Sequence, residues 1–143
     1  MDRKELVRYF YETLVSQNRL EELPNFIAED CRLRAGDRLL PLGLAGMREH
    51  LLAVRRTYPD YTIHIIRQYA DGSYILSEII MEGTHLGEFC GITPSQKRLT
   101  FTGVNIDRVE EGKIVEHGGA VNTFETLLEH GLIRGVGEQE RPR

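Results

Sequence analysis

The sequence contains no tryptophan and only two cysteines, Cys31 and Cys90. Two solitary cysteines fit neither a metal-ligand spacing nor a CxxC redox pair, and reduced thiols are the expectation for a cytoplasmic chain. His50, His64, His85, His117 and His130 show no HxH or HExxH spacing, so no metal site is expected. No apolar run approaches the ~20 residues that cross a bilayer. The N-terminus is charged and helical in pattern, unlike a secretory signal. A formal net charge of -4 without clustered Lys and Arg argues against a nucleic-acid partner. A phosphate-binding glycine loop, a GxSxG elbow and a dinucleotide fingerprint are all missing. What is present is an ordinary globular composition, 41% hydrophobic and 28% charged over 143 residues. That length suits one domain burying about two-thirds of its unfolded surface.

Asp2 and Glu5 form a capping box, after which Leu6, Tyr9, Phe10, Thr13 and Leu14 recur at helical spacing to about Ser16. Asn18, with Glu21 three residues on, reads as the cap of a shorter helix carrying Leu20, Leu23, Phe26 and Ile27. These two helices are expected to pair antiparallel. Cys31 to Ala35 reads as a short strand, followed by a connection of open form over residues 38–43. A third helix begins near Leu44, presents Met47, Leu51, Val54 and Tyr58, and is ended by Pro59. The apolar period then drops to two. Residues 61–69 and 73–82 read as strands joined by an Ala70-Asp71-Gly72 turn, and Gly83 marks a bulge or a close backbone approach. Residues 86–97 read as a loop.

Residues 99–131 form a hairpin whose second strand feeds a final helix closed by Gly131. Pairing about the 110–113 turn sets Val109 opposite Ile114, Asp107 opposite Glu116 and Asn105 opposite Gly118, with Phe101 near Asn122. On that register Asn105, Asp107, Glu116 and Asn122 share one face, and Val104, Ile106, Val115 and Val121 the other. Alternation alone leaves open which face is inner. Helices mostly precede a run of hairpin-linked strands, so the class is α+β. A strongly curved, mainly antiparallel sheet wrapped over the early helices leaves a conical cavity. Residues 1–133 are expected to form one domain and 134–143 a frayed tail.

Local motifs carry a family resemblance. Tyr58-Pro59-Asp60, the run Gly83 to Phe89 (GTHLGEF), Gly91-Ile92-Thr93-Pro94-Ser95, Phe101-Thr102-Gly103 and Gly112 to Glu116 (GKIVE) resemble the SnoaL-like polyketide cyclases of the nuclear-transport-factor-2-like superfamily. The likeness spans nearly the whole chain. It implies a cone-shaped α+β barrel, a homodimer or homotetramer formed through the outer sheet face, and a cofactor-free cavity. It also implies that position 122 faces the cavity, and the polar hairpin face with it. In the characterised cyclases an aspartate there is the acid/base of an intramolecular aldol closure. Here the matching residue is Asn122, and an amide does not exchange a proton near neutral pH. The family's usual tryptophan four residues earlier is Gly118, and its aromatic at position 107 is Asp107.

The reading is therefore a cyclase or isomerase acting on a small hydrophobic or carbonyl-containing ligand. His85, Asp107 and Glu116 are the expected proton-transfer residues. Two facing carboxylates would raise one pKa, and a histidine side chain, whose unperturbed pKa is about 6.5, is the residue type suited to proton transfer, with Gly83 and Gly87 allowing close approach. Asn105, Asn122 and Tyr58 are the expected substrate-binding residues. Each functional expectation has a plainer counterpart: rim carboxylates paired with Arg108 or Lys113, Asn122 as the cap of the last helix, and His85 fixing its loop. The alternative function is a non-catalytic small-molecule-binding protein of the same fold.

Overall fold

The computed structural model describes residues 1–137; of the tail expected over 134–143, residues 138–143 lie outside the described residues. Helix α1, Arg3–Tyr9, starts on the expected capping box: Asp2 accepts from the Glu5 amide at 2.8 Å and Glu5 accepts from the Asp2 amide at 3.1 Å. It continues as a π-helical turn over Phe10–Val15, the Ser16 amide reaching back five residues to the Tyr11 carbonyl. The wider turn changes which side chains point inward. Leu6, Val7, Phe10, Tyr11, Leu14 and Val15 are buried, whereas Tyr9 and Thr13 of the expected stripe are only partly covered. A π turn of this kind is commonly retained where it aims a functional side chain, and here it turns Tyr11 toward the sheet.

Asn18 ends this helix rather than capping the next. Its φ is +55°, and the Arg19 amide bonds the Leu14 carbonyl, which is a C-terminal stop. The expected second helix shrinks to a 3-10 turn, Leu20–Glu22, and α2, Leu23–Phe26; Ile27 already belongs to a strand. Strand β1 spans Ile27–Ala35 and pairs with β2, Arg38–Pro41, which occupies the segment of open form. Helix α3 spans Gly43–Thr57. Strands β3 (Thr62–Asp71), β4 (Tyr74–Thr84), β5 (Arg98–Glu110) and β6 (Lys113–Val121) follow, and α4, Thr123–Glu129, closes with Gly131 at φ +69°.

The six strands form one curved, unclosed sheet in the order β2-β1-β6-β5-β4-β3, antiparallel except where β1 runs parallel to β6. The inner face of β4 carries Ile75, Ser77, Ile79 and Met81, all buried, and β5 adds Leu99 and Phe101. Against this concave face pack the π turn and α3, burying Phe10, Leu14, Met47 and Leu51. Burying each such side chain contributes roughly 1.5–3 kcal/mol. Both cysteines are free. Among the described residues no helix is long and apolar enough to cross a membrane.

One irregularity decides what the sheet presents. The β5–β6 hairpin begins as expected, with Glu110 opposite Lys113 and Val109 opposite Ile114, and then a bulge intervenes. Beyond it Arg108 faces Glu116, Asp107 faces His117, and Asn105 faces Gly119. A one-residue slip moves every later side chain to the opposite face. The expected Asp107–Glu116 and Asn105–Gly118 pairs are thus replaced, and the polar set that alternation placed on one face is split.

Candidate active site

Asp107 and Asn105 point inward from β5, and the slipped register brings His117, not Glu116, beside them. The Asp107 side chain is wholly buried. Its Oδ2 accepts from the Tyr11 hydroxyl at 2.6 Å, and its Oδ1 lies 2.8 Å from His117 Nδ1. The Tyr11 oxygen also stands 3.2 Å from that nitrogen. A buried carboxylate needs donors on both oxygens, so Nδ1 carries the proton and donates to Asp107. The lone pair of the ring is then on Nε2, to which no described residue donates a hydrogen bond. Burial pushes the Tyr11 hydroxyl well above the usual tyrosine range, the neighbouring Asp107 charge adds to this, and the Asn105 amide opposes it. Tyr11 therefore stays a donor at all working pH values.

These groups meet a cavity of about 210 Å³ between the sheet and the helices. Tyr11, Asn105 and His117 form its polar end, and His50 on α3 joins them. Burial, and secondarily the repulsion it would meet from a protonated His117, hold the His50 pKa below the ordinary histidine value. The rest of the wall is mostly apolar and aromatic, with Phe10, Met47, Leu51, Tyr58, Phe89 and Phe101 among its residues, and it also carries Glu82 and Thr123. An apolar cleft with a few convergent polar groups is the usual form of a small-molecule site. Its volume is below the ~300–1,000 Å³ of pockets that take drug-sized ligands.

Of the six residues expected from the sequence, Asp107, Asn105 and Tyr58 are at or behind this cavity; His85, Glu116 and Asn122 do not line it. The bulge sends Glu116 to the outer face. There its carboxylate receives Arg34 and Arg108, each at 3.0 Å, and both guanidiniums lie over the Tyr74 ring. Burial works to raise the Glu116 pKa, but the hydrogen bonds and charges of the two arginines outweigh it and hold it below the usual value. A depressed carboxyl contributes stability above its unfolded pKa and loses it as pH falls through the folded one. Glu116→Gln is accordingly expected to lower stability by about 1–2 kcal/mol at pH 7, both arginines being partly exposed. Urea titrations should show that difference fade below about pH 4; a constant difference across pH would refute the pairing.

Asn122 sits at the cap position of α4, exposed, with its amide nitrogen 3.1 Å from Glu125 and its backbone N–H on the Thr102 carbonyl. It makes no side-chain capping bond. Gly118 also departs from expectation. A Cβ there would stand 2.8 Å from the Arg34 carbonyl, so the site faces β1 and not a widened cavity wall. Arg108 and Asp107 point to opposite faces of the sheet. His117 and Tyr11 were hidden by the bulge and the π turn respectively. The one available signal was Asp107 itself, a carboxylate on an inward face that required donors nearby. Among the described residues no cluster of side chains could hold a metal ion.

No curated protein sequence matches the chain. Solved structures do. IdmH from Streptomyces antibioticus superposes with a TM-score of 0.78 at 23% identity, covering 92% of this chain and 99% of that one. A SnoaL-like polyketide cyclase from Agrobacterium tumefaciens gives 0.79 at 15% identity, covering 91% and 98%. TsrD from Streptomyces laurentii gives 0.77 at 17% identity, covering 91% and 95%. At these identities the likeness shows the fold. The sequence profile of the SnoaL-like polyketide cyclases matches residues 5–129 of the 143, and the protein belongs to that family.

Proposed function

We propose that the protein is a cyclase or isomerase that abstracts a proton α to the carbonyl of a small cyclic substrate, with His117 as the base. The observation that carries this reading is the Asp107–His117 pair, an imidazole held by a buried carboxylate at 2.8 Å on the wall of an apolar cavity. Nε2 accepts the proton, the C–H electron pair moves into the carbonyl to give an enolate, and Asp107 stabilises the imidazolium that forms. The same Nε2–H returns the proton, either to another carbon, which is isomerisation, or to the alkoxide formed when the enolate closes on a second carbonyl. Asn105 stands beside Tyr11 and His117 as a neutral donor to substrate oxygen; such donors in a water-poor site contribute roughly 3 kcal/mol to the barrier. This replaces the expected use of His85 and Glu116 and does not require a carboxylate at position 122.

The test needs no knowledge of the natural substrate. Indanone in D2O exchanges its α-protons, which proton NMR follows directly. The protein should accelerate that exchange above buffer, and His117→Gln should lower the acceleration about a hundred- to ten-thousand-fold. Binding of indanone without any accelerated exchange would favour the non-catalytic binding protein, for which the exposed Asn122 speaks. Exchange undiminished in His117→Gln would remove the base from this assignment.

A further inference from the structure

Two buried polar atoms among the described residues have no hydrogen-bond partner, the Tyr58 hydroxyl and His85 Nε2, and they belong to neighbouring rings whose centroids are 6.0 Å apart. Neither residue is on the surface: Tyr58 is 7% exposed and His85 is fully buried. Their hydrogen-bonding character follows from what surrounds them. The Ser95 backbone N–H, which can only donate, lies 3.2 Å from His85 Nδ1, and the Ser95 hydroxyl lies 2.9 Å from the same atom. Nδ1 is therefore the acceptor, so the proton of the neutral ring is on Nε2. Burial, with a smaller contribution from Cys90, pushes the Tyr58 hydroxyl up to about 12, so it too keeps its proton. Both orphans are donors, and the surrounding rings of Phe89 and Phe101 offer them no oxygen.

The position is held with some rigidity. The Leu86 and Gly87 amides both bond the Thr57 carbonyl, which ties the His85 loop to the end of α3. A Cβ on Gly83 would stand 2.6 Å from Tyr58 Cβ, so the glycine lets the tyrosine lie flat against β4. Leaving a buried donor unpaired is unfavourable, and sequences rarely retain two side by side without a use for them.

We infer that Tyr58 Oη–H and His85 Nε2–H form a second polar subsite that receives an acceptor oxygen at the far end of the ligand from the Asp107–His117 pair. Tyr58 lines the cavity, and His85, which does not line it, packs against the tyrosine ring. Tyr58 packs edge-on against Phe101, which is six residues from Asp107 on β5. At the rise of a strand that separates the two ends by roughly 20 Å between backbones, and side chains converging from both ends shorten the gap. The ligand class is thus an elongated, largely apolar ring compound with an enolisable carbonyl at one end and a carbonyl-type oxygen at the other. A hydroxyl acting as donor is disfavoured at the far end, because both protein groups are themselves donors. This rests on the reading of the cavity as the ligand site, and it is independent of His117 as base.

The probes are indanone carrying an acetyl group on its benzo ring, away from the ketone, and the matching isopropyl compound, which has the same shape without the oxygen. Calorimetric titration should show the acetyl compound binding roughly five- to twenty-fold tighter than the isopropyl one. Tyr58→Phe should abolish most of that preference while leaving the melting temperature unchanged or higher, since the hydroxyl it removes has no partner. His85→Asn, whose Oδ1 can still accept from the Ser95 amide, should do the same. His117→Gln should keep the preference even where α-proton exchange is lost. The inference is overturned if wild type does not distinguish the two compounds, or if both Tyr58→Phe and His85→Asn keep the full preference. It is also overturned if the preference disappears in His117→Gln instead, which would leave the proposed base intact and move the oxygen to its end.

Discussion

Asp107→Asn is expected to lower α-proton exchange by about a hundred- to ten-thousand-fold while leaving the protein at least as stable as wild type. The two halves of this expectation have different origins. The carboxylate accepts from Tyr11 on one oxygen and from His117 on the other, and it has no exposure to water. An amide has the same shape but only one acceptor. If its oxygen faces His117, the tautomer survives but the charge that stabilises the imidazolium is gone. If its nitrogen faces His117, Nδ1 must accept, the proton moves to Nε2, and the base is lost outright. Either outcome removes transition-state stabilisation of the kind seen when a triad aspartate is made an amide. Stability moves the other way, because a buried anion is expensive to desolvate and the isosteric amide fills the same space. Tyr11 loses its strongest acceptor in one orientation, which offsets part of that gain. The decisive measurement is exchange kinetics beside urea denaturation on one preparation. A variant that loses stability and activity together would mark Asp107 as structural; one that keeps exchange would free His117 from any need of it.

Most of the fold was legible before any coordinates because it rests on local chemistry. The Asp2–Glu5 capping box, the Pro59 stop, the 110–113 turn and the Gly131 stop each declare themselves within a few residues, and each stands where it was expected. The site was less legible because it depends on two departures from ideal period. The π turn lies inside a run that a regular helix explains nearly as well, and it exchanges Tyr9 and Thr13 for Tyr11 and Val15 on the buried side. The bulge after Val109 leaves the turn and the first two pairs untouched, so nothing near the turn announces it. Its consequence for what lines the cavity is nonetheless large. Glu116 leaves the cavity for Arg34 and Arg108, and His117 enters it. The family likeness pointed to position 122, where this chain has an exposed amide; the acid–base pair proposed here sits on a single rung of the same hairpin, Asp107 opposite His117.

The bulge also explains why a glycine on the surface is indispensable. Gly119→Ala is expected to cost about 3 kcal/mol, although the residue is exposed and the change adds one methyl group. Gly119 has φ +150°, a backbone state that side-chain-bearing residues scarcely adopt, and it lies opposite Asn105 in the slipped register. A Cβ built there collides with the Val104 carbonyl and stands 2.7 Å from Asn105 Oδ1 and 2.8 Å from Asn105 Cα. Two of these neighbours are backbone atoms of a central strand and have no room to yield. The strand pair must therefore separate locally or β6 must revert toward the unbulged register, and both displace Asn105 and His117. For a domain of this size the melting temperature should fall by roughly 6–12 °C. Binding of indanone should weaken in the fraction that remains folded, as the polar end of the cavity loses its geometry. Gly112→Ala is the control: its φ is also positive, at +75°, yet a Cβ there meets nothing within 4 Å, so it should lose about 1 kcal/mol and leave binding unchanged. Equal losses at the two glycines would mean that backbone conformation alone matters at 119; a larger loss at 119 accompanied by weaker binding ties the close approach of β5 and β6 directly to the site.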